Sequence, residues 1–154
     1  MTAEMTAAMT ADMTADMNKA IVRRFIEEGI NQANLKAFDE LVVEDVDFDA
    51  PPGLPHNREG WKQNRLMLKE AFPDAHWEEE ALIAEGDTVA GRWVLRATHT
   101  GPLFGIPPTD KPVVASSTGI LRLANGKIVF QRLNNDDLGV MMQIGVVQLP
   151  APVA

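Results

Sequence analysis

Three polar side chains occupy every second position near the C-terminal end of the chain: Arg132, Asn134 and Asp136. They share one face if this segment is a strand, because successive side chains of a strand point to opposite faces. A carboxylate beside an apolar wall can exchange a proton near neutral pH, since desolvation raises its pKa. An adjacent arginine favours the charged form, which suits a base. The pattern is compatible with proton transfer by Asp136, with Arg132 or Asn134 polarising a substrate oxygen.

Each of these residues also has a purely structural interpretation. Asp136 precedes Leu138 and could cap a closing helix, an interpretation that the sequence supports equally well. Arg132 could be an exposed strand arginine. His99, at the end of a predicted strand, could shuttle a proton as a neutral imidazole. We favour for His99 a hydrogen bond that fixes the loop over residues 101–109.

Composition narrows the classes of partner. The chain has 154 residues, a formal net charge of −8 and no cysteine. An acidic surface without a basic stripe disfavours nucleic acids and anionic membranes, and the lack of thiols excludes disulfides. Three scattered histidines give no metal-ligand spacing. No apolar run reaches the length of a membrane span. We therefore expect a cytoplasmic protein without metal, nucleic-acid or membrane partners.

A four-residue repeat opens the chain. Its successive units begin at Met1, Met5, Met9, Met13 and Met17. The favoured interpretation is a low-complexity extension over residues 1–17 that lies outside the fold. The alternative is a helix whose methionines pack on the domain or on a partner chain. Residues 18–147 form the predicted domain, and residues 148–154 form a C-terminal tail.

The predicted elements place helices first and hairpins afterwards. Helices are expected from Asn18, after Asn34 and over 58–72, with an extended segment at 43–49 between them. Strands are expected at 75–84, 88–100, 112–124 and 127–135, followed by a short helix at 138–146. Asn125-Gly126 is a strong hairpin turn. This order predicts an α+β fold with helices on one face of an antiparallel sheet, with a small barrel as the main rival.

Large apolar side chains and one arginine on these elements are candidates for binding a substrate. On one predicted strand Trp93, Leu95 and Ala97 alternate with Arg92, Val94 and Arg96, and Trp93 is expected to form a wall of the core or pocket. The full set of predicted substrate-binding residues is Trp93, Phe48, Trp61, Arg65, Phe104 and Leu121.

Several short motifs, in their order and spacing, resemble one known family. They are the segment 18–28, the run 51–55 with 58–60, Ala71-Phe72-Pro73-Asp74, the segment 85–90, His99-Thr100-Gly101 with 105–109, Asn125-Gly126-Lys127-Ile128, and Asp136-Asp137-Leu138-Gly139. Over residues 18–147 the chain resembles the SnoaL-like polyketide cyclases.

This resemblance implies a nuclear-transport-factor-2-like cone: a curved, mostly antiparallel sheet wrapped by three N-terminal helices around an apolar pocket. It also implies ring closure of a hydrophobic carbonyl compound by intramolecular aldol chemistry, without a metal or organic cofactor. Asp136 lies at the position of the family's acid–base aspartate. Family members usually associate through the open sheet face, so a homodimer is expected.

Two other functions remain open on the same fold. One is an epoxide hydrolase, dehydratase or isomerase. The hydrolase and dehydratase reactions need a water held by several polar groups, and a pocket with one carboxylate would count against them. The other is a non-catalytic binding or oligomeric module. That module would be favoured by an exposed, helix-capping Asp136 together with a pocket lacking titratable groups.

Overall fold

The structure, a computed structural model, describes residues 1–150. Its helices are α1 (Ala3–Arg24), α2 (Leu35–Leu41), α3 (Arg58–Ala71) and α4 (Asp137–Gln143), and α1 continues directly into a π-helical segment, Phe25–Asn31. Its strands are β1 (Val42–Phe48), β2 (His76–Glu85), β3 (Thr88–Thr98), β4 (Pro112–Ala124) and β5 (Lys127–Asn135). The last four residues of the predicted C-terminal tail, 151–154, lie outside the described part.

The five strands form one open, curved sheet in the order β1-β5-β4-β3-β2. β1 runs parallel to β5, and the other neighbours are antiparallel. Register shifts interrupt three of the four pairings, and such bulges increase local twist and bending. The Asn125-Gly126 turn takes left-handed backbone angles at both residues, as a tight hairpin requires. The predicted cone-shaped α+β fold is confirmed.

The first helix is longer than predicted, because it begins at Ala3 rather than near Asn18. The Thr2 hydroxyl caps it by accepting a hydrogen bond from the Met5 amide at 3.3 Å. No glycine or proline interrupts residues 1–17, and methionine, alanine and glutamate all favour helices. The repeat is therefore helical, as the less favoured interpretation expected. Its five methionines are exposed rather than packed on the domain.

The core lies between the helices and the inner face of the sheet. Phe25 from the π-helical segment, Phe38 from α2 and Trp61 from α3 meet edge to face, with ring centroids 4.9–5.8 Å apart. This arrangement suits the aromatic quadrupoles and adds to the apolar burial. A second buried cluster surrounds Phe72 and Leu95 at the other end of the sheet. The site described next lies between these two clusters.

Candidate active site

A cavity of about 610 Å³ opens between the helices and the inner face of the sheet. This volume is typical of sites for small molecules, which are concave and mostly apolar. All three tryptophans of the chain line it: Trp61 from α3, Trp77 from β2 and Trp93 from β3. The cavity could therefore accept a flat, hydrophobic ligand.

The aromatic walls are held in place by close packing. Trp61 stacks on Phe48 with a centroid distance of 5.2 Å and an interplanar angle of 4°. The Trp93 ring lies directly over Gly91, where an added Cβ would collide with the ring. Residues 91 and 93 share a face because the side-chain period of a strand is two. The missing side chain at Gly91 thus makes room for one wall of the cavity.

The structure places all six predicted substrate-binding residues in the lining of this cavity. They are Trp93, Phe48, Trp61, Arg65, Phe104 and Leu121. Five come from helices and strands, whereas Phe104 extends from the loop between β3 and β4. Contact with a substrate stays a prediction for each of them.

A short polar strip crosses the inner face of the sheet, which is otherwise mostly apolar. Ser117 on β4 lies opposite Asn135 on β5, and its hydroxyl donates to Asn135 Oδ1 at 2.6 Å. Gln131 is buried, and its Oε1 accepts a hydrogen bond from the Asp49 amide at 3.3 Å. All four residues line the cavity. They supply hydrogen-bonding groups next to a hydrophobic ligand.

Arg132 and Asn134, predicted to be catalytic, do not line the cavity. They belong to the face of β5 opposite to Gln131, Leu133 and Asn135. Arg132 instead pairs with Asp47 at 2.8 Å and stacks on Phe130 at 4.5 Å from the ring centroid. The alternation of side chains was predicted correctly, but the inward face was not. The signal lay on β4, where Val113, Ala115, Ser117 and Leu121 mark the odd-numbered positions as inner.

Asp136 is exposed and caps α4, its Oδ1 accepting from the Gly139 amide at 2.9 Å. It is absent from the cavity lining, whereas its neighbour Asp137 is part of it. Asp137 shares one helical face with Val140 and Met141, which also line the cavity. The spacing of these three residues is the signal that sequence reasoning missed.

Asp137 has surroundings suited to proton transfer. Burial, and after it the charge of Asp136, raise the pKa of the Asp137 carboxyl above its usual value. Like Asp136, the residue is exposed to solvent, and it lies at the cavity mouth. A carboxyl with a raised pKa can both accept and return a proton closer to neutral pH than an ordinary aspartate.

His99 is completely buried and does not line the cavity. Its Nδ1 lies 2.9 Å from the Thr109 hydroxyl, and its backbone N–H donates to the Lys111 carbonyl at 3.0 Å. Its own carbonyl accepts from the Asp110 amide at 2.9 Å. These contacts match the favoured interpretation, in which His99 holds the loop that follows β3.

Arg65 is the most unusual residue of the cavity. Its side chain is only 2 % exposed, and its Nε donates to the Ile30 carbonyl at 2.6 Å. Its guanidinium carbon lies 5.4 Å from the centre of the Trp77 ring. Burial lowers the pKa of Arg65 to about 10, so it stays charged at neutral pH. Within residues 1–150, neither Nη1 nor Nη2 has a hydrogen-bond partner.

Two further classes of feature were sought over the described residues. Between Met1 and Pro150, no three His, Cys, Asp or Glu side chains are grouped so that they could hold a metal ion. None of the helices in that range combines the length and apolar character needed to cross a membrane.

Comparison with known proteins places this geometry in a family. The family model for SnoaL-like polyketide cyclases matches residues 20–144. Aklanonic acid methyl ester cyclase DauD from Streptomyces sp. (strain C5) is 29% identical over an alignment of 131 residues, and the alignment covers 81% of this chain and 80% of the relative. Nogalonic acid methyl ester cyclase from Streptomyces nogalater is 33% identical over 72 residues, 47% of this chain and 54% of the relative.

Solved structures agree. Wild-type IdmH from Streptomyces antibioticus is 30% identical, with a TM-score of 0.73 over 84% of this chain and 99% of that protein. TsrD from Streptomyces laurentii shares the fold with a TM-score of 0.78 at 18% identity, over 86% of this chain and 97% of that protein. Because the family model spans most of the chain, this protein belongs to the SnoaL-like polyketide cyclase family.

Proposed function

We propose that this protein closes a ring in a hydrophobic polyketide by an intramolecular aldol reaction, with Asp137 as the acid–base group. The observation that carries the proposal is the position of Asp137, a carboxyl with a raised pKa at the mouth of a mostly apolar cavity. The names of the curated relatives, both methyl ester cyclases, support the reaction class.

The proposed reaction needs one proton and no external reagent. The Asp137 carboxylate removes a proton from a carbon next to a carbonyl group, which leaves an enolate. The enolate carbon attacks a second carbonyl of the same molecule, so that a carbon–carbon bond forms and a C=O π bond becomes an alkoxide. Asp137 returns its proton to that alkoxide. Substrate and product are isomers, and the carboxylate is regenerated.

Hydrogen bonds from the polar strip would stabilise the negative oxygen. The side-chain amides of buried Gln131 and exposed Asn135 line the cavity on the same sheet face, and donors held in place can stabilise an oxygen on which negative charge develops. These two residues take the role that the sequence pattern gave to Arg132 and Asn134. Gln131 and Asn135 are each one residue away from the predicted positions along β5, and their side chains offer hydrogen-bond donors on the inward face of the strand.

Two observations bear on the alternative functions. An exposed, helix-capping Asp136 is one of the two conditions set for a non-catalytic module. The other condition, a cavity without titratable groups, is not met, because Asp137 and Arg65 line it. This combination favours an enzyme.

A hydrolase or dehydratase is the second candidate, and Asp49 favours it. This residue adds a second carboxylate to the cavity lining, and two carboxylates can share the work of orienting and activating a water. Product mass separates the candidates. Aldol ring closure leaves the mass of the substrate unchanged, hydrolysis adds one water, and dehydration removes one.

The proposal is tested with aklanonic acid methyl ester as the trial substrate and product formation followed by chromatography and mass spectrometry. We expect an isomeric product from the wild type. Asp137→Asn should lower kcat by at least about 100-fold, the range ascribed to a positioned acid–base group. Circular dichroism would verify that the variant is folded.

Asp136→Asn is the matched control, because asparagine caps helices as well as aspartate does. We expect it to retain most of the activity. If Asp136→Asn is inactive while Asp137→Asn is fully active, the acid–base role belongs to Asp136. The reaction class itself is contradicted if the wild type changes the substrate mass, or if it converts neither the methyl ester nor the corresponding free acid.

We also propose that the protein is a homodimer formed through the outer face of the sheet. Val114 and Ile120 of β4 are exposed there although they are apolar. Phe130 of β5 lies diagonally across from Ile120 in the β4–β5 pairing, between the guanidinium groups of Arg122 and Arg132 at 4.3 and 4.5 Å from its ring centroid. Val114 lies six residues from Ile120 along the same face of β4. A patch of apolar side chains flanked by arginines is typical of protein interfaces.

A further inference from the structure

Arg65 carries a charge that the protein itself does not neutralise. The side chain is 2 % exposed, and none of the ion pairs among residues 1–150 includes it. Its Nη1 and Nη2 atoms are buried without an acceptor. An unpaired buried charge is strongly unfavourable, and proteins rarely keep one without a use. The feature therefore calls for an acceptor from outside the chain.

The groups around Arg65 stabilise its positive charge but make no hydrogen bond to Nη1 or Nη2, the two terminal nitrogens that form the fork of the guanidinium. Nε donates to the Ile30 carbonyl, near the end of the π-helical segment, where the helix dipole is negative. The Trp77 ring lies 5.4 Å away and offers the negative face of its π system. Both contacts fix the side chain and leave Nη1 and Nη2 free. Such a fork matches the two oxygens of a carboxylate.

The position of Arg65 connects this fork to the proposed substrate site. Arg65 lines the same cavity as Asp137 and the three tryptophans. The Nη1 and Nη2 atoms are buried, and Trp77 packs over the guanidinium and against both apolar clusters. A ligand oxygen therefore reaches the fork only when Trp77 or Arg65 moves.

We propose that Arg65 binds a carboxylate group of the substrate, so that the cavity selects a polyketide acid over the corresponding neutral ester. The inference rests on the proposed function, because it places the same substrate in the same cavity. It goes further by naming an acidic substrate class. The curated relatives are named as cyclases of methyl esters, which carry no charge at this group.

The test measures binding rather than turnover, and it uses a matched pair of flat aromatic ketones. Anthraquinone-2-carboxylate and its methyl ester differ by one methyl group and one charge. Their affinities for the full-length protein are measured by isothermal titration calorimetry at neutral pH. We expect the wild type to bind the carboxylate at least about tenfold more tightly than the ester, as a charge-assisted pair of hydrogen bonds would give.

Substitutions at Arg65 separate recognition from folding. Arg65→Met keeps a long apolar side chain, and we expect it to lose the preference for the carboxylate while still binding the ester. Its thermal stability without ligand should equal or exceed that of the wild type, because a buried unpaired charge is removed. Arg65→Lys keeps the charge but not the fork, and should retain part of the preference. Arg96→Met, which removes an exposed arginine, is the control and should behave as the wild type.

The outcomes distinguish this inference from the proposed function. Equal affinities of the wild type for the two compounds overturn the role of Arg65 but leave the cavity as a substrate site. A preference that survives in Arg65→Met overturns it as well. Binding of neither compound overturns the role of Arg65 too, whereas the proposed function is then decided separately by turnover of the trial substrate. A marked loss of stability in Arg65→Met would indicate that the arginine serves the fold instead.

Discussion

Asp136 and Asp137 are adjacent in sequence but occupy different environments. Asp136 uses its carboxylate to hold the first turn of α4 through the Gly139 amide. Asp137, one residue further, faces the cavity with Val140 and Met141. The charge of Asp136 contributes to the raised pKa of Asp137, after burial. The first residue thus positions the helix and tunes the second.

This tuning gives a pH prediction. If Asp137 must be ionised to remove a proton, kcat/KM falls as the pH drops through the pKa of Asp137. Asp136→Asn removes a nearby negative charge and keeps the cap. The pKa of Asp137 should then decrease, and the acidic limb of the pH profile should move to lower pH. The profile is measured with the trial substrate between acidic and neutral pH.

Asp45→Asn serves as the control for this experiment, because it removes an exposed carboxylate from β1. We expect its pH profile to overlap that of the wild type. An acidic limb of Asp136→Asn that stays in place, or moves to higher pH, would show that the charge of Asp136 does not act on the group whose ionisation limits the reaction.

At this scale the sequence predicts residue types better than orientation. The alternation along β5 is evident in the sequence, and both faces carry polar residues: Arg132 and Asn134 on one, Gln131 and Asn135 on the other. A shift by one residue reverses the two faces. Composition alone does not show which face of β5 points inward. The buried odd-numbered residues of β4 show it, because Ser117 and Leu121 pair with Asn135 and Gln131.

Among the elements, the π-helical segment shapes the cavity most directly. It places Phe25, Ile26 and Ile30 in the lining and presents the Ile30 carbonyl to Arg65. An added Cβ at Gly29 would press on the Phe25 ring at 2.9 Å. Wide turns of this kind often occur at functional sites. The apolar spacing predicted a helix there but not its widening, because the widening depends on tertiary packing around Phe25 and Phe38.

The loop between β3 and β4 supplies Phe104, which lines the cavity although it is 63% exposed. A ligand would cover part of this ring. Phe104→Ala should therefore raise KM or Kd about fivefold, the equivalent of roughly 1 kcal/mol of lost apolar burial, and change kcat little. Titration calorimetry with the anthraquinone ester measures the effect.

Phenylalanine and alanine at position 104 bear the same backbone strain, because φ is positive there, at 47°. The difference in affinity between wild type and Phe104→Ala therefore reports the aromatic ring alone. Leu138→Ala is the control: Leu138 is exposed on α4 but outside the cavity lining. Unchanged affinity in Phe104→Ala would mean that the loop does not contact the ligand.

At the scale of the whole molecule, two exposed apolar surfaces are candidates for the interface of the proposed homodimer. One is the outer sheet face around Ile120, and the other is the methionine repeat of α1. Ile120→Lys should convert the proposed dimer into a monomer, because a lysine at the centre of an apolar patch must be desolvated. Light scattering coupled to size-exclusion chromatography measures the mass.

Met9→Lys is the matched substitution on the repeat, and we expect it to leave the dimer intact. A monomeric Met9→Lys with a dimeric Ile120→Lys would place the interface on α1. A monomeric wild type would contradict the dimer altogether.

The element order and the motif spacing predicted the fold of this molecule well, since both can be read directly along the sequence. The repeat is the exception: its low complexity favours a tail outside the fold, but the helix propensity of residues such as Met5, Ala8 and Met9 makes it helical in the structure.

The three tryptophans that line the cavity have one more consequence. The chain contains no tyrosine, so nearly all of its ultraviolet emission arises from Trp61, Trp77 and Trp93, at the wall of the proposed substrate site. The protein is in effect its own optical sensor, since any compound that enters the cavity meets every strong fluorophore at once. Libraries of aromatic acids, esters and ketones can therefore be screened by the quenching of native emission, without a label and before the true substrate is known.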